Sequence, residues 1–223
     1  MGVLRRGNVS PAAWCRRQPL HIRQEDVWCL VNWFEPASLD RVPGTWRPLE
    51  SRDADVAAPA AESIAYPLLR SGPDELKAEA VRLVAAYRVR SDGNDLSDLL
   101  RSASGPLNAR VGALRAMDAV DDAGLSDAIV GALKDSTREL RLAAREILAR
   151  RNPQEAVRVL GDALMSGEAR ERQAAIAALA GMQTEAADAE LFKWLGRLTA
   201  SPDKVPVAIR LELLEAAERR GTD

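Results

Sequence analysis

The residue types that carry most enzyme chemistry are scarce in this chain. It has one histidine, His21, and two cysteines, Cys15 and Cys29. Metal centres and nucleophilic sites need such side chains at ligand or hydrogen-bond spacing. His21 has no His or Cys at metal-ligand spacing, and the cysteines form no Cys-x-x-Cys motif. We therefore expect no metal site, no bound cofactor and no catalytic residue.

The acidic pairs also lack a catalytic setting. Asp121-Asp122 and Asp53/Asp55 lie in predicted loops or near predicted helix starts, where the helix dipole already favours negative charge. No glycine-rich phosphate loop is present. These absences predict a protein that is not an enzyme.

Length and charge limit which other functions the protein could have. The 223 residues include 31 Lys+Arg and 33 Asp+Glu, for a net charge of −2, and 47% are apolar. This composition is typical of a globular protein with one or two domains. The even mixture of charges argues against nucleic acid as a partner, which would need a basic surface. No apolar run approaches the ~18 residues of a membrane span.

The first residues predict a basic, poorly ordered N-terminus over 1–23. Its apolar residues are scattered and interrupted by Pro11 and Pro19, so no signal peptide is indicated and the chain as written points to the cytoplasm. Cys15 and Cys29 could pair, but one cysteine pair is a weak sign of an oxidising compartment. We favour two thiols in or near a small apolar cluster, and the pairing stays open.

Aromatic residues are concentrated in the next segment, predicted over 24–54. Apolar spacing predicts a helix from Glu25 to Glu35, ended by Pro36, and then an extended strap with a turn at Pro43-Gly44. We expect this segment to cap the helices that follow. The alternative is a docking patch for another domain, with Trp28 and Trp33 as contact residues.

The rest of the chain, 55–223, predicts an all-α repeat domain. Helices are expected at about 55–70, 74–89, 94–102, 106–119, 125–134, 137–150, 153–165, 168–181, 185–199 and 205–219.

A period of 31 residues links these helices. Arg110, Arg141 and Arg172 follow at this spacing, and small pairs recur two and three positions after each of them. Paired small residues allow close helix approach, and a single helical hairpin cannot cover its own apolar face. The period therefore predicts a right-handed α-solenoid of two-helix repeats.

Two sets of residues are candidates for contacts. We expect the arginine ladder (Arg110, Arg141 and Arg172) to be structural, each member bonding the turn of a neighbouring unit. A binding stripe is the alternative. Phe192 and Trp194 replace the Gly161 and Ala163 of the equivalent repeat. They either form a protein contact or fill a wider gap near the end of the array.

The segment Asp135-Ser136-Thr137-Arg138-Glu139-Leu140-Arg141-Leu142-Ala143-Ala144 resembles a HEAT-like repeat of the phycobilisome-lyase type. That family has an Asp in the turn, then an Arg and a small pair. The third unit departs from it, with Ser166 and Gly167 in the turn. The resemblance covers about 74–219 and implies the HEAT-like fold. Some relatives are lyases, which leaves an enzyme as a remote alternative.

A second resemblance concerns the aromatic segment. The stretches 28–36 and 39–49 are similar to the lead-in to a helical-repeat region in large secreted bacterial haem-binding proteins, and 211–217 is similar to the helix leading to their cytochrome domain. This resemblance implies an extracytoplasmic spacer, a fragment or split part of a redox assembly. The chain has no Cys-x-x-Cys-His motif of its own, and its compartment stays open.

We therefore expect a non-enzymatic scaffold that binds another protein or domain, with the redox spacer as the alternative. Leu211 and Leu214 lie on a final helix that no later repeat in this sequence covers. A solenoid end of this kind exposes apolar surface. We predict weak self-association through the C-terminal helix.

Overall fold

The computed structural model describes residues 18–39, 43–91 and 93–220. These residues form eleven α-helices and no β-strand, apart from one isolated bridge between Leu39 and Trp46. The all-α prediction is confirmed. The chain divides into two compact units, 1–125 and 126–223. The predicted segments 1–23, 24–54 and 55–223 stay predictions.

The described residues of the first unit form five helices and a short 3-10 turn at Ala54–Val56. The helices are α1 (Leu20–Val31), α2 (Ala58–Ser71), α3 (Asp74–Tyr87), α4 (Asp95–Arg101) and α5 (Leu107–Val120). Helix α3 packs against α1, α2 and α5, and α4 packs against α2 and α5. Buried Leu76, Leu83 and Leu114 lie in the core of this unit.

The N-terminal helix differs from its prediction. It begins at Leu20 and ends at Val31, whereas the sequence predicted Glu25 to Glu35. The side-chain amide of Asn32 donates a hydrogen bond to the Trp28 carbonyl at 2.8 Å. This bond caps the last turn of the helix four residues before Pro36. Pro36 therefore sets only the last position at which the helix could end, and the helix ends earlier.

The strap over 36–53 is extended and exposed in its described part. Gly44 has a φ of +67°, which suits the third position of the predicted type II turn. Trp46 is 74% exposed, so its ring is not part of a buried aromatic cluster. Cys15 and the rest of 1–17 lie outside the described residues, so the pairing of Cys15 with Cys29 stays open, while Cys29 is exposed on α1.

The second unit contains six helices. They are α6 (Leu125–Leu133, whose first residue precedes the unit boundary), α7 (Arg138–Arg151), α8 (Pro153–Ser166), α9 (Ala169–Gly181), α10 (Glu185–Ala200) and α11 (Arg210–Arg219), with 3-10 turns at Pro202–Lys204 and Val207–Ile209. Helices α7, α9 and α11 contact one another in series, and α8 contacts α10. Consecutive helices pair as α7 with α8 and α9 with α10.

Local sequence explains why these helices begin where they do. The Asn152 side chain accepts a hydrogen bond from the Glu155 N–H at 3.2 Å, and Pro153 takes the first helical position of α8. Thr184 caps α10 in the same way, accepting from the Ala187 N–H. In the described part of the chain, no helix is both long and apolar enough to cross a bilayer.

Candidate functional site

Each member of the arginine ladder donates to a backbone carbonyl just before its own helix. Arg110 Nε bonds the Leu100 oxygen at 2.9 Å, and Arg172 Nη2 bonds the Met165 oxygen at 3.1 Å. Arg141 Nη1 bonds both the Asp135 and Ser136 oxygens at 2.8 Å. Carbonyls at helix ends carry partial negative charge and lack intrahelical donors, so a guanidinium suits them.

A fourth arginine makes the same kind of bond. Arg210 Nε donates to the Val205 oxygen at 3.0 Å, at the start of α11. The 31-residue period did not predict a role for Arg210, because Arg210 follows Arg172 by 38 positions. Two 3-10 turns occupy this longer connection.

Glu171 is a buried carboxylate held by two arginines of α7. It is 3% exposed, and its Oε1 accepts from Arg141 Nε at 2.9 Å and from Arg145 Nη1 at 2.6 Å. Its Oε2 accepts from Arg141 Nη2 and from the Glu168 N–H, each at 3.2 Å. The bond from Arg141 is the largest cause that lowers the Glu171 pKa, which falls to about 2 even though burial raises it.

This cluster has the chemistry of a structural ion pair. A general base or acid works best with a pKa near the working pH. Glu171, with its pKa of about 2, stays ionised at neutral pH and has its oxygens occupied by donors. No sequence pattern above singled out Glu171, although its spacing of three from Glu168 is that of a helix capping box.

The two aromatic candidates on α10 have different surroundings. Trp194 is 4% exposed, its Nε1 donates to Glu190 Oε1 at 3.1 Å, and the Arg197 guanidinium lies 4.8 Å from its ring centroid. Phe192 is 51% exposed. The Trp194 ring therefore lies inside the second unit, and of this pair only Phe192 offers an aromatic surface.

Trp28 and Trp33 are both half-buried in the first unit. Trp33 Nε1 donates to the Asp53 oxygen at 3.0 Å, and Arg52 lies 4.9 Å from the Trp33 ring centroid. These contacts hold the end of the strap beside the turn that follows α1. A role for Trp28 or Trp33 in binding a partner stays a prediction.

Two clefts open on the second unit. The first, of about 520 Å³, runs along α7 and α9 and is lined largely by small apolar side chains such as Ala149, Ala174 and Ala178. The second, of about 630 Å³, lies beside α10 and is lined by Arg172, Lys193, Arg197 and Lys204. We call these the apolar cleft and the cationic cleft.

The C-terminal segment, made of the 3-10 turn Val207–Ile209 and α11, carries both buried and exposed apolar side chains. Ile209, Leu213 and Ala216 are buried, and α11 packs on α9 and α10. Val207 in the turn and Leu211 and Leu214 on α11 are 76%, 64% and 56% exposed. Leu211 and Leu214 are three positions apart and therefore lie on one side of α11. We call Val207, Leu211 and Leu214 the outer row.

Within the part of the chain that the structure describes, no group of three His, Cys, Asp or Glu side chains could hold a metal ion. Comparisons with protein-family models, curated proteins and solved structures found no match to the chain. The geometry of the described residues is therefore what supports a function.

Proposed function

We propose that this protein is a non-enzymatic scaffold of HEAT-like helical repeats, and that it binds a second copy of itself or another protein through α11. The observation that carries the proposal is the outer row of Val207, Leu211 and Leu214, which is apolar and exposed. Burying a leucine side chain contributes ~1.5–3 kcal/mol. Exposed apolar residues grouped on one segment in this way are typical of a protein interface.

The helix packing supports the repeat fold that the proposal includes. In the second unit α7, α9 and α11 contact in series while α8 contacts α10, as alternating helices do in a right-handed solenoid. In the first unit α3 contacts α5 and α2 contacts α4. The bonds of Arg141, Arg172 and Arg210 to preceding carbonyls add a repeated feature that matches this alternation.

The cluster around Glu171 supports the non-enzymatic part of the proposal. The most strongly held carboxylate of the second unit bonds two arginines and a backbone amide, which makes it a structural element. The apolar cleft between α7 and α9 adds surface suited to a helix or an extended segment of a partner.

Sedimentation equilibrium over a wide concentration range tests self-association. We expect the weight-average mass to rise with concentration, and the double variant Leu211→Glu/Leu214→Glu to stay monomeric. Val130→Glu is the matched control, because Val130 is 53% exposed on α6 and lies outside the outer row. A wild-type protein that stays monomeric throughout, or a control that dissociates as fully as the double variant, would contradict the self-association.

Photo-crosslinking separates self-association from binding to another protein. A photoreactive amino acid at Leu211 should give an adduct with a defined protein in the producing cells, and the same group at Val130 should not. An adduct of twice the chain mass identifies a second copy, and a different mass identifies another partner. Equal adducts at both positions would argue against the outer row as the interface.

A further inference from the structure

The cationic cleft has a charge distribution that the scaffold role does not use. Four basic side chains line it, namely Arg172, Lys193, Arg197 and Lys204, and no acidic side chain is among its described lining residues. Met165, which is 57% exposed, and Pro206 form an apolar part of its wall. The cleft lies entirely within the second unit, between the end of α8, the start of α9 and the end of α10.

Two of the guanidinium groups contact the same residue, Met165. Arg172 Nη2 donates to the Met165 oxygen at 3.1 Å, and Arg197 Nη1 contacts the Met165 sulfur at 3.2 Å. The Arg197 group also lies 4.8 Å from the Trp194 ring centroid. Both side chains are therefore positioned by neutral groups, which leaves their positive charges without a counter-charge.

Three of the four cations have no carboxylate partner. Among the described residues Lys193 pairs with Glu190 at 2.9 Å, whereas Arg172, Arg197 and Lys204 make no ion pair within 4.0 Å. The Arg172 Nε is also buried without a hydrogen-bond acceptor in the described protein. A buried donor of this kind costs free energy until an acceptor reaches it.

The preceding member of the ladder shows what such an acceptor would be. Arg141 on α7 bonds the Glu171 carboxylate, which lies on α9. Arg172 occupies the equivalent place one repeat later and has no carboxylate. Its guanidinium therefore has the chemistry to take an oxyanion from outside the chain, and guanidinium groups bind carboxylate and phosphate in a bidentate manner.

From these contacts we propose that the cationic cleft binds a small organic anion with at least two carboxylate or phosphate groups. One group lies against Arg172 and Arg197, and the other reaches Lys204 at the exposed side. The apolar wall formed by Met165 and Pro206 takes the carbon skeleton. A volume of about 630 Å³ is in the range of small-molecule sites.

The test is isothermal titration calorimetry on the full chain at constant ionic strength, with citrate and pyrophosphate as separate probes and sodium chloride as the reference. Lys204→Gln and Arg197→Gln should each weaken binding about tenfold, since each removes a charged hydrogen-bond donor. Lys134→Gln is the matched control, because it removes the same charge from an exposed lysine on a loop far in sequence from the cleft. It should change the affinity less than twofold.

Each outcome decides the proposal. Binding of citrate alone identifies a carboxylate ligand, and binding of pyrophosphate alone identifies a phosphate ligand. No heat above the chloride reference with either probe overturns the proposal, and so does equal weakening by Lys204→Gln and Lys134→Gln. Lys204 is exposed and makes no side-chain bond among the described residues, so its variant keeps the test valid if Arg197→Gln fails to fold.

Discussion

Arg141 and Glu171 form a bidentate ion pair between α7 and α9. Arg141 Nε lies 2.9 Å from Glu171 Oε1, and Nη2 lies 3.2 Å from Oε2. The same arginine bonds the two carbonyls of the turn before its helix. One side chain thus joins its own turn to the next helix of the row. This makes the pair a bridge between two successive helix pairs, α7–α8 and α9–α10.

The stability of the second unit should depend on pH through Glu171. Its pKa falls from 4.5 unfolded to about 2 folded, because Arg141 and Arg145 bond its ionised form. A lowered folded pKa gives stability that is complete above the unfolded pKa and is lost as the pH falls towards the folded one. We expect Glu171→Gln to lower the unfolding free energy by about 2–3 kcal/mol at pH 7.

Denaturant melts of wild type and Glu171→Gln at several pH values check this expectation. The difference between the two proteins should shrink between about pH 4.5 and pH 2, the interval set by the two pKa values. Glu146→Gln is a control, since Glu146 is an exposed residue paired with Arg150. A difference that stays constant down to pH 2 would show that Glu171 does not act through its charge.

Two members of the ladder should differ in their contribution. Arg141→Ala removes bonds to Glu171 and to two carbonyls, so it should cost about 2–3 kcal/mol of unfolding free energy. Arg172→Ala removes one bond to a carbonyl and should cost about 1 kcal/mol. Urea denaturation of the two variants measures the difference, and equal costs would contradict the bridging role of Arg141.

A double-mutant cycle isolates the bridge itself. Arg141→Ala and Glu171→Ala, singly and together, should give a coupling free energy of about 1–3 kcal/mol. Arg158→Ala combined with Glu171→Ala serves as the reference, because Arg158 pairs with Glu155 and Asp162 of its own helix. Additive effects in the first cycle would contradict the pair as the energetic link between α7 and α9.

Helix positions in the repeat region could be predicted because their signals are local. Asn152-Pro153 both caps α8 and provides its first residue, so the predicted 153–165 agrees closely with Pro153–Ser166. The column of small residues predicts close helix approach, and Gly112 lies against Val81 of α3. Patterns of this kind depend only on neighbours along one helix or on a fixed period.

The remaining features depend on tertiary contacts that no short pattern encodes. The partner of Arg141 lies 30 residues away and is an unremarkable glutamate in the sequence. Trp194 is buried, whereas the sequence alone left open whether it fills a gap or forms a contact with another protein. Lys193 and Arg197 at a spacing of four could have suggested a basic helix face, but Arg172 and Lys204 join them only in the fold.

Close packing of α3 and α5 should make Gly112 intolerant of a side chain. A Cβ at Gly112 would lie 2.6 Å from Val81 Cγ2. Gly112→Ala should therefore lower the unfolding free energy by about 1–2 kcal/mol, the overpacking cost exceeding the gain in helix propensity. Gly131→Ala on α6 is the matched control, since a Cβ there meets nothing within 4 Å, and it should stabilise by about 0.5–1 kcal/mol.

Thermal melts of the two glycine variants compare these effects directly. Val81→Ala should lower the unfolding free energy less in the Gly112→Ala protein than in the wild type. The reason is that alanine at position 81 relieves the contact with the new methyl group at position 112. A Gly112→Ala protein as stable as Gly131→Ala would contradict the close approach of α3 and α5.

Tyr87 should determine how firmly α1 is held on the first unit. Its hydroxyl donates to the Leu30 oxygen at 2.6 Å, and its ring meets Phe34 edge-on at 6.3 Å between centroids. Tyr66 makes a comparable bond, to the Val89 oxygen at 3.0 Å, which does not involve α1. Each Tyr→Phe change should cost about 1 kcal/mol of unfolding free energy.

Hydrogen exchange of the α1 amides distinguishes the two tyrosines. Tyr87→Phe should speed exchange over 20–31 more than elsewhere in the first unit, because the last turn of α1 loses its bond to α3. Tyr66→Phe should change exchange in α1 only as much as it changes the whole unit. If both variants expose α1 equally, the Tyr87 hydroxyl does not anchor this helix, and its packing against α3 alone holds it in place.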